Sequence, residues 1–494
     1  MTSFAEIIKI DRDSNIPVYM QITNSFIHNI RRGQLRRGLQ LPGSRTLATS
    51  LNIHRKTLQT ALDELMAQGW IEIIPQKGTF IASDLPDIKP LKLLPGQRFV
   101  QYPSRTNFSI DENSMIPFPP PGNQNPRNLI IDDGFADIRL APIEQLMKEY
   151  RTLSKLPAFK KYFRYGSPKG PTHLLQPLSV YLRETRGLPV SENNLLITKG
   201  AQMGIFITAR VLLKPGDNVI LGDPGYFAAS ITFRQAGAVI NTVPVDDFGI
   251  DADAVESLCK TKQIRLLYVI PHHHYPTSVT LIPERRIRLL DLAAKYKFAI
   301  IEDDYDYDFH YNSSPVLPMA SLDTNGNTIY IGTLTKAFVP TIRLGFVVAP
   351  ENFINAAANV RRGIDWQGDS MMEVAIGQLY KDGTIERHIN KSVKLYHERR
   401  DCFCSLLQKK IGEYVSFKIP DGGLSVWTHF RKIELKAVSE KAAEFGLTMS
   451  NGSLYYSDTP YNNAARLGFA SLNFHEQEKA VDILCNAVLS VSKK

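Results

Sequence analysis

A proline-rich segment divides the chain into two parts that differ in hydrophobic pattern. Residues 84–127 contain nine prolines and no sustained periodicity. Such a composition favours an extended linker over a packed element. At 494 residues the chain is also too long for one ordinary core. The sequence therefore predicts an N-terminal domain over residues 1–83 and a second, larger domain over residues 128–494.

The N-terminal part, residues 1–83, has the pattern of three helices followed by a hairpin. The first helix ends at Gly33, the second begins with Ser44 as a candidate N-cap, and the third ends at Gly69. Two short strands follow, around a turn at Lys77–Gly78. This order predicts a winged helix-turn-helix. The apolar stripes are Ile22, Phe26 and Ile30 in the first helix and Leu58, Ala61, Leu62, Leu65 and Met66 in the third.

The position of positive charge indicates that this head binds DNA. Residues 1–83 hold ten Lys and Arg against six Asp and Glu, a net charge of +4, and the whole chain has a formal charge of +9. Several of these groups lie at the starts of the second and third helices, where side chains and helix N-termini meet phosphates and base edges. The ordinary alternative is a solvated basic face. We predict double-stranded DNA as a partner, contacted by Arg45, Arg55, Lys56, Thr57, Lys77, Gly78 and Thr79.

The same stretch resembles a known family. "LPGSRTLATSLNIHRKTLQTALDELMAQGWIEIIPQKGTFIA" is similar to the winged-helix domain of GntR-type bacterial repressors. The resemblance implies that Arg45, Arg55, Thr57 and Gly78 touch an operator. One departure is His54, where the family usually has Ser. This replacement predicts either a weaker helix cap or a different base preference.

After the linker the pattern changes to short apolar runs separated by helical stretches. The runs are continuous rather than alternating, as in strands that are buried on both faces of a parallel sheet. They occupy residues 194–198, 218–221, 265–270, 298–301, 328–332 and 345–349. The pattern predicts an α/β domain with a mainly parallel sheet. Such a sheet binds its ligand at the carboxyl ends of the strands.

An amine and a carboxylate lie at those strand ends. Lys336 follows the run that ends at residue 332, and Asp303 and Tyr305 follow the run that ends at residue 301. A lysine amine forms a Schiff base with pyridoxal phosphate (PLP), and a carboxylate keeps the pyridine nitrogen of PLP protonated. Tyr305 can hydrogen-bond the ring hydroxyl. We therefore predict a PLP site in which Lys336 is the catalytic residue.

The remaining residues of the predicted site would hold the phosphate and the ring. The sequence "TKGAQ" breaks at a glycine and opens a helix whose free N–H groups can hold an anion. Tyr226 follows another strand and would stack on the ring. Taken singly, each residue has an ordinary structural explanation, and only their order and placement favour a cofactor site. The predicted phosphate ligands are Gly200, Ala201, Gln202, Thr333, Thr335 and Arg343.

Nearly the whole chain after the linker resembles a second family. Residues from about 128 to 490 are similar to the class I aminotransferases of fold type I. The motifs that carry the resemblance are "YGSPKG", "PGDNVILGDPGY", "EDDYDYDF", "GTLTKAFVPTIRLGFVVAP", "PDGGLSVW" and "ARLGFA". Fusion to a GntR-type head is the hallmark of the MocR/GabR group of PLP-dependent transcription regulators. The resemblance implies a large domain with a mainly parallel sheet and a smaller C-terminal α+β domain.

Several roles follow from this resemblance. It implies that Lys336 binds PLP as an aldimine, that Asp303 pairs with the pyridine nitrogen, and that Arg466 grips the carboxylate of an amino-acid-like ligand. It also implies a homodimer, arranged head to tail, in which Tyr165 reaches the phosphate across the interface. Aminotransferases usually have Asn where this chain has Tyr275, in "YPTS". We count Tyr275 among the cofactor-binding residues, and an aromatic residue there favours a regulator.

Two functions therefore remain open. In the first, the chain is a transcription regulator that senses an amino acid, an amine or PLP itself. In the second, it is an active aminotransferase with a DNA-binding head. Sustained turnover of an amino donor and a keto acceptor would distinguish the second from the first.

Composition limits the remaining possibilities. No run of about 18 apolar residues and no signal peptide is present, so we expect a cytoplasmic protein without a membrane partner. The four cysteines are scattered and are expected to be reduced thiols. In "PHHHYP", His272 and His274 share a strand face but lack further ligands. We predict no metal site and expect these histidines to line the ligand pocket or pack near it.

Overall fold

The computed structural model describes residues 4–12, 14, 16–86, 104–110, 128–311, 316–455 and 463–492. The chain forms two compact units, Met1–Ser109 and Ile110–Lys494. Most of the predicted linker, residues 84–127, lies outside the described residues, so its boundaries stay a prediction.

The first unit has the predicted order of helices and strands. It consists of α1 (Phe4–Ile7), α2 (Val18–Arg31), α3 (Ser44–Ser50), α4 (Arg55–Ala67), β1 (Ile71–Ile74) and β2 (Gly78–Ile81). Strands β1 and β2 pair antiparallel, which forms the wing. Ile22, Phe26 and Ile30 of α2 are buried against Leu58, Leu62 and Leu65 of α4 in one core.

Two details of this unit, at Ser44 and Met66, differ from the sequence prediction, and a third concerns the departure at His54. Ser44 is the first residue of α3, and Gly43 is its N-cap, without a side-chain cap. Met66 leaves the predicted stripe and is 42% exposed, because Leu65 already fills the core at that turn of α4. The ring of His54 accepts a hydrogen bond from the backbone N–H of Lys56 at 3.3 Å. His54 therefore caps α4 in place of the usual serine.

The second unit contains the remaining elements. Its helices are α5 (Ile143–Lys155), α6 (Thr172–Arg186), α7 (Ala201–Leu212), α8 (Phe227–Gln235), α9 (Ala252–Thr261), α10 (Pro283–Tyr296), α11 (Met319–Leu322), α12 (Glu351–Asp365), α13 (Ser370–Lys381), α14 (Thr384–Ile411), α15 (Leu435–Glu444) and α16 (Phe474–Ser492). Its strands are β3 (Leu129–Ile130), β4 (Leu195–Thr198), β5 (Asn218–Asp223), β6 (Val239–Asp246), β7 (Gly249–Ile250), β8 (Ile264–Val269), β9 (Ala299–Asp304), β10 (Thr328–Thr333), β11 (Gly345–Val348), β12 (Val415–Phe417), β13 (Ser425–Phe430), β14 (Leu447–Thr448) and β15 (Ala464–Gly468). Among the described helices, none is both long and apolar enough to cross a membrane.

The large sheet has the order β4-β11-β10-β9-β8-β5-β6-β7. Strands β10, β9, β8, β5 and β6 are parallel to their neighbours in this row. Strand β11 runs antiparallel to both β10 and β4, so one of the six predicted apolar runs points the other way. Strand β6 was missed by the sequence analysis. The sheet is mixed and mainly parallel, as predicted.

Helices cover both faces of this sheet, because alternate side chains of its strands enter different cores. On β10, Ile329 and Ile331 pack with α7, α8 and α12, whereas Tyr330 faces α6 and α13. Strands β5, β8 and β9 contribute to a third core with α9 and α10. This layering brings the carboxyl ends of the parallel strands to one edge.

The C-terminal part builds a smaller α+β domain. Strands β12, β13 and β15 form an antiparallel sheet, and α14, α15 and α16 pack against it in a core that includes Phe403, Val426 and Leu484. The start of the second unit also joins this domain, since β3 pairs with β14. Residues directly after β3 therefore lie between the two domains of this unit.

Candidate active site

The Lys336 amine lies just beyond the end of β10, beneath the segment that follows β3. Its Nζ donates a hydrogen bond to the carbonyl of Gly134 at 2.7 Å and lies 3.6 Å from the centroid of the Phe135 ring. Burial lowers the pKa of Lys336 to about 8, although the negative charges of Asp132 and Asp133 oppose this shift. A lysine with a lowered pKa has a larger neutral fraction and is a better nucleophile near neutral pH.

Asp303 is the penultimate residue of β9, next to β10, and its side chain is buried. One carboxyl oxygen accepts a hydrogen bond from the Tyr268 hydroxyl at 2.6 Å, and the other is buried without a partner among the described residues. Burial raises the pKa of Asp303 to about 7, while the bond from Tyr268 acts in the opposite direction. An unpaired buried carboxyl oxygen is costly unless a donor reaches it. The protonated ring nitrogen of PLP has the chemistry of that donor.

An anion cradle forms where β4 and β10 end and the antiparallel β11 begins. Thr333 pairs with Gly345, which pairs with Thr198, so the loops after β4 and β10 and the loop before β11 are neighbours. Gly200 has φ +81° and ψ 170°, a conformation that only glycine adopts readily, and caps the N-terminus of α7. A Cβ at Gly200 would lie 2.7 Å from the guanidinium of Arg343. This close approach brings a cation to free helix N–H groups, which fits a phosphate.

The other predicted phosphate ligands surround this cradle. The hydroxyls of Thr333 and Thr335 are joined by a 2.8 Å hydrogen bond. The side-chain amide of Gln202 donates to Thr232 at 2.7 Å, and its carbonyl oxygen is buried without a partner among the described residues. Ala201 is the first residue of α7. All of these residues therefore lie near the strand ends that the sequence predicted.

Arg466 comes from β15 of the smaller domain and is 1% exposed. Its guanidinium donates to the Tyr305 hydroxyl at 2.8 Å and to the carbonyl of Asp133 at 2.9 Å, and it lies 5.2 Å from the centroid of the Tyr275 ring. Tyr305 in turn donates to the carbonyl of His273 at 2.8 Å. Arg466 is thus a buried, oriented cation within the site, not an ordinary exposed arginine.

Aromatic side chains form one wall of the site. The Tyr226 and Tyr275 rings meet edge to face at 5.3 Å, and Tyr275 meets Tyr455 at 5.8 Å. Burial raises the pKa of the Tyr226 phenol, so it stays neutral at physiological pH. Tyr226 therefore presents a neutral ring of the kind that stacks on a cofactor.

Tyr165 contacts none of the other predicted site residues within its own chain. Its side chain is 81% exposed and its ring lies 5.3 Å from that of Trp366, which is 60% exposed. The expectation that Tyr165 acts across a dimer interface stays a prediction.

The three histidines of "PHHHYP" are buried beside the site. The ring of His272 hydrogen-bonds the carbonyl of Val316 at 2.6 Å, and that of His273 bonds Asp306 at 3.0 Å. They follow β8, which ends at Val269, so the shared strand face that the sequence suggested is wrong. Burial lowers the pKa of His274 to about 3. Among the described residues, no group of three or more His, Cys, Asp or Glu side chains could hold a metal ion.

The predicted DNA contacts lie in α3, α4 and the wing of the first unit, and most of them are exposed. Arg45 and Arg55 are exposed in the first turns of α3 and α4, and Lys56 is exposed beside Arg55. The wing turn is braced by Gln40, which donates to the carbonyl of Lys77 at 2.7 Å. Gly78 and Thr79 begin β2, and Thr57 is partly buried in α4.

Known proteins share both units. The family described as bacterial regulatory proteins, gntR family, matches residues 18–81, and the family described as aminotransferase class I and II matches residues 136–484. The chain is 26% identical to the probable rhizopine catabolism regulatory protein MocR of Rhizobium meliloti, over 98% of this chain and 96% of that protein. The chain belongs to the MocR-type transcriptional regulators. Its second unit is an aminotransferase-like domain of a class that is typically PLP-dependent, and its first is a helix-turn-helix DNA-binding domain.

Two further comparisons support this assignment. This MocR-type regulator is 28% identical to the uncharacterized HTH-type transcriptional regulator YdfD of Bacillus subtilis, over 94% of this chain and 95% of the relative. Among solved structures, it is similar to a multiple substrate aminotransferase of Thermococcus profundus, with a TM-score of 0.69 and 26% identity over 74% of this chain and 92% of that one. The first relative matches the whole fusion, whereas the second matches the aminotransferase-like unit.

Four residues of the site in this MocR-type regulator were missed by the sequence analysis. Tyr268 lies inside an apolar run, and only its hydroxyl distinguishes it from the core residues beside it. Asp133, Gly134 and Tyr455 belong to segments remote from the strand ends, so no spacing rule joins them to Lys336. The two consecutive aspartates at residues 132 and 133, followed by Gly134, were the sequence feature that could have indicated this part of the site.

Proposed function

We propose that this protein is a PLP-dependent transcription regulator, which binds PLP at Lys336 and senses an amino acid, an amine or PLP itself. The observation that carries the proposal is the pairing of two groups at adjacent strand ends. The Lys336 amine has a lowered pKa, and the neighbouring Asp303 has a buried carboxyl oxygen without a partner among the described residues. Together they have the chemistry that PLP requires.

Each group would have a defined task. When bound, PLP supplies an aldehyde that takes up amines and a ring that withdraws electrons. Asp303 would hold a proton on the ring nitrogen, and Lys336 would present its amine to the aldehyde. Arg343 and the N-terminus of α7 would bind the phosphate, with Thr333 and Thr335 supplying hydroxyl donors.

Arg466 would orient a ligand that carries a carboxylate. Its guanidinium is held by the Tyr305 hydroxyl and by the carbonyl of Asp133, so little side-chain freedom is lost when a ligand binds. A planar guanidinium can donate two parallel hydrogen bonds to a carboxylate. This geometry favours an amino acid over a simple amine.

A homodimer would complete the site. Phe163, Tyr165 and Trp366 are 59%, 81% and 60% exposed, and exposed aromatic groups of this size mark protein interfaces. A second subunit would cover them and bring its own Tyr165 towards the phosphate. The head-to-tail arrangement of subunits is part of the same proposal and rests on family resemblance.

The head would bind a duplex operator through α3, α4 and the wing. Arg45, Arg55 and Lys56 would meet phosphates and base edges, and Lys77, Gly78 and Thr79 would enter from the wing. A ligand can change DNA binding only if it binds better to one arrangement of the heads than to another. The effector would therefore act by shifting the balance between two such arrangements.

A second candidate function is catalysis of amino-group transfer. Lys336, Asp303 and Arg466 are all present and lie in one site, which favours this possibility. Tyr275 at the usual asparagine position favours the regulator. Release of a keto product through many turnovers would identify an enzyme.

The test records the visible absorption spectrum of the purified protein with PLP while amino compounds are added one at a time. We expect a band that Lys336→Ala abolishes and that one compound converts to a persistent new species. The same compound should change the affinity for operator DNA. Lys295→Ala is the control, because this lysine is an exposed residue of α10 whose amine lies 3.8 Å from Glu256 and over the Tyr296 ring, outside the site. A band that is unchanged in Lys336→Ala would refute the proposal.

A further inference from the structure

A carboxylate lies in the same site as the two cations. Both side-chain oxygens of Asp133 accept hydrogen bonds from tyrosines, one from Tyr455 at 2.8 Å and the other from Tyr275. Neither the catalytic role of Lys336 nor the carboxylate grip of Arg466 makes use of this group. A partly exposed carboxylate in a ligand site is a candidate for binding a cation.

Aromatic rings surround this carboxylate. Tyr455 is 2% exposed and meets both Trp427, at 5.3 Å, and Tyr275, at 5.8 Å, edge to face. Aromatic faces attract ammonium and guanidinium groups, and the attraction grows when the cation is partly removed from water. We call Asp133, the two tyrosines that donate to it, Tyr275 and Tyr455, and Trp427 beside Tyr455 the Asp133 subsite.

The backbone of the same segment connects this subsite to the cations of the site. The carbonyl of Asp133 accepts a hydrogen bond from Arg466, and the carbonyl of Gly134 accepts one from Lys336. The negative charge of Asp133 also acts on both Lys336 and Arg466, so a ligand amine at Lys336 and a ligand carboxylate at Arg466 would lie near the subsite. This arrangement offers three charged groups to one small molecule.

The charge of Asp133 is not neutralised by an ion pair. The described residues contain no salt bridge to Asp133. Lys336 donates to the carbonyl of Gly134, and Arg466 donates to backbone carbonyls and to the hydroxyls of Tyr305 and Ser278. The two tyrosine hydroxyls satisfy one lone pair on each oxygen and leave others for a further donor. A cationic group of a ligand would supply both that donor and the opposite charge.

We propose that the Asp133 subsite binds a second cationic group, so that the effector is a diamino carboxylic acid. This inference rests on the proposed function, since it assigns the chemical class of the compound that is sensed at Lys336. It predicts selection for a terminal ammonium and against an uncharged chain of the same length.

The test compares pairs of ligands that differ in the terminal ammonium. L-ornithine is compared with L-norvaline, and L-lysine with L-norleucine, by titrating the full-length protein with PLP and following its absorption. We expect the cationic member of at least one pair to bind about tenfold or more tightly than its uncharged partner. In Asp133→Asn this ratio should fall to about one, while the uncharged ligands keep their affinity within about threefold.

Control variants separate the charge from the structural role of Asp133. Tyr455→Phe and Asp133→Glu alter the subsite but keep its carboxylate, so each should retain the preference for the cationic ligand. If Asp133 only holds the tyrosines in place, Asp133→Asn will weaken all ligands equally, which overturns the proposal. If the wild-type protein binds the cationic and the uncharged member of both pairs with equal affinity, the proposal is overturned as well, whether or not Asp133→Asn folds.

Failure of the proposed function gives a different result. In that case PLP produces no band that depends on Lys336, with any ligand. Calorimetric titration of the same pairs without PLP then decides the subsite proposal. A preference for the cationic member that Asp133→Asn removes supports it, and equal or absent binding of both members refutes it.

Discussion

The Tyr268 hydroxyl donates a 2.6 Å hydrogen bond to one oxygen of Asp303, and the other oxygen of this buried carboxyl group has no partner among the described residues. Tyr268 thereby fixes the orientation of Asp303 and opposes the rise in its pKa. Neither effect needs contact between Tyr268 and a cofactor. We therefore expect Tyr268 to act as a positioning residue for Asp303 in the proposed PLP site.

Tyr268→Phe should weaken PLP binding by about tenfold, because one buried hydrogen bond contributes on the order of 1 kcal/mol or somewhat more when its acceptor is charged. The variant should also raise the pKa of Asp303. Spectral titration with PLP at several pH values checks both effects. A loss of affinity that is equal at pH 6 and pH 9 would contradict the electrostatic part, since Asp303 ionises between those values.

Asp303→Asn should stabilise the PLP-free protein at high pH while it impairs PLP binding. Burial raises the pKa of Asp303 from 3.8 to about 7, so ionisation costs stability in the folded state as the pH rises from about 4 to about 7. The neutral amide avoids this cost, which is on the order of a few kcal/mol. Urea unfolding at pH 5 and pH 8 checks the sign of this change in stability. We expect the free energy of unfolding of the variant to exceed that of the wild type at pH 8 and to approach it at pH 5.

The reaction of Lys336 with PLP should follow its lowered pKa. Because the neutral amine attacks the aldehyde, the fraction of Lys336 trapped by borohydride in a short pulse should rise up to about pH 8 and then level off. For a solvated lysine, the trapped fraction would continue to rise until the pH approaches 10.5, the ordinary pKa of the amine. Phe135→Ala removes the ring 3.6 Å from Nζ and exposes the amine to water. Because burial is the main cause of the lowered pKa of Lys336, the plateau should move to higher pH even though the attraction of the ring for the ammonium is lost. A wild-type profile that still rises above pH 9 would contradict the buried position of the amine.

Gly200→Ala should reduce PLP affinity by about tenfold or more, since its Cβ would lie 2.7 Å from the Arg343 guanidinium and displace it from the cradle. The matched control is Gly216→Ala. Gly216 also has a positive φ, +90°, but a Cβ there meets nothing within 4 Å. Both variants should lose about 1 kcal/mol or more of stability through backbone strain. Equal PLP affinity in the two would show that the arginine does not contribute to the cradle.

Arg55→Ala should weaken DNA binding by about tenfold or more if Arg55 reads a base, or reduce the salt dependence by about one counterion if it meets a phosphate. The measurement is a salt series with a duplex selected from random sequence by the protein itself. Lys9→Ala is the control, because Lys9 is exposed in the same unit but lies outside α3, α4 and the wing. Equal affinities for the two variants would exclude the N-terminus of α4 as the reading element.

The fold was predictable from the sequence wherever burial leaves a simple pattern. Strands β5, β8, β9 and β10 are buried on both faces and appear as continuous apolar runs. Strand β6 alternates between buried and exposed residues and contains Pro244, so it lacks that signal. The antiparallel direction of β11 could not be predicted, because an apolar run carries no information about the direction of its neighbours.

The site was predictable only where it coincides with strand ends. Asp303 is the penultimate residue of β9, Lys336 and Gly200 follow β10 and β4 within three residues, and the sheet brings them to one edge. Asp133 and Tyr455 reach the site through pairing of distant segments, as when β3 joins β14. Such long-range pairing depends on how the whole domain packs, so local sequence patterns cannot predict it.

The distance along the chain between Asp133 and Arg466 has a consequence for synthesis. Their hydrogen bond joins residues 333 positions apart, and β4 pairs only with β11 at the opposite end of the large domain's sequence. The helices and wing of the head, by contrast, close within the first 86 residues. Since contacts close in sequence form first on the ribosome, the part that reads DNA is complete while the ligand site is still being translated. A nascent chain would thus fold its DNA-binding head before it can bind the ligand that regulates it.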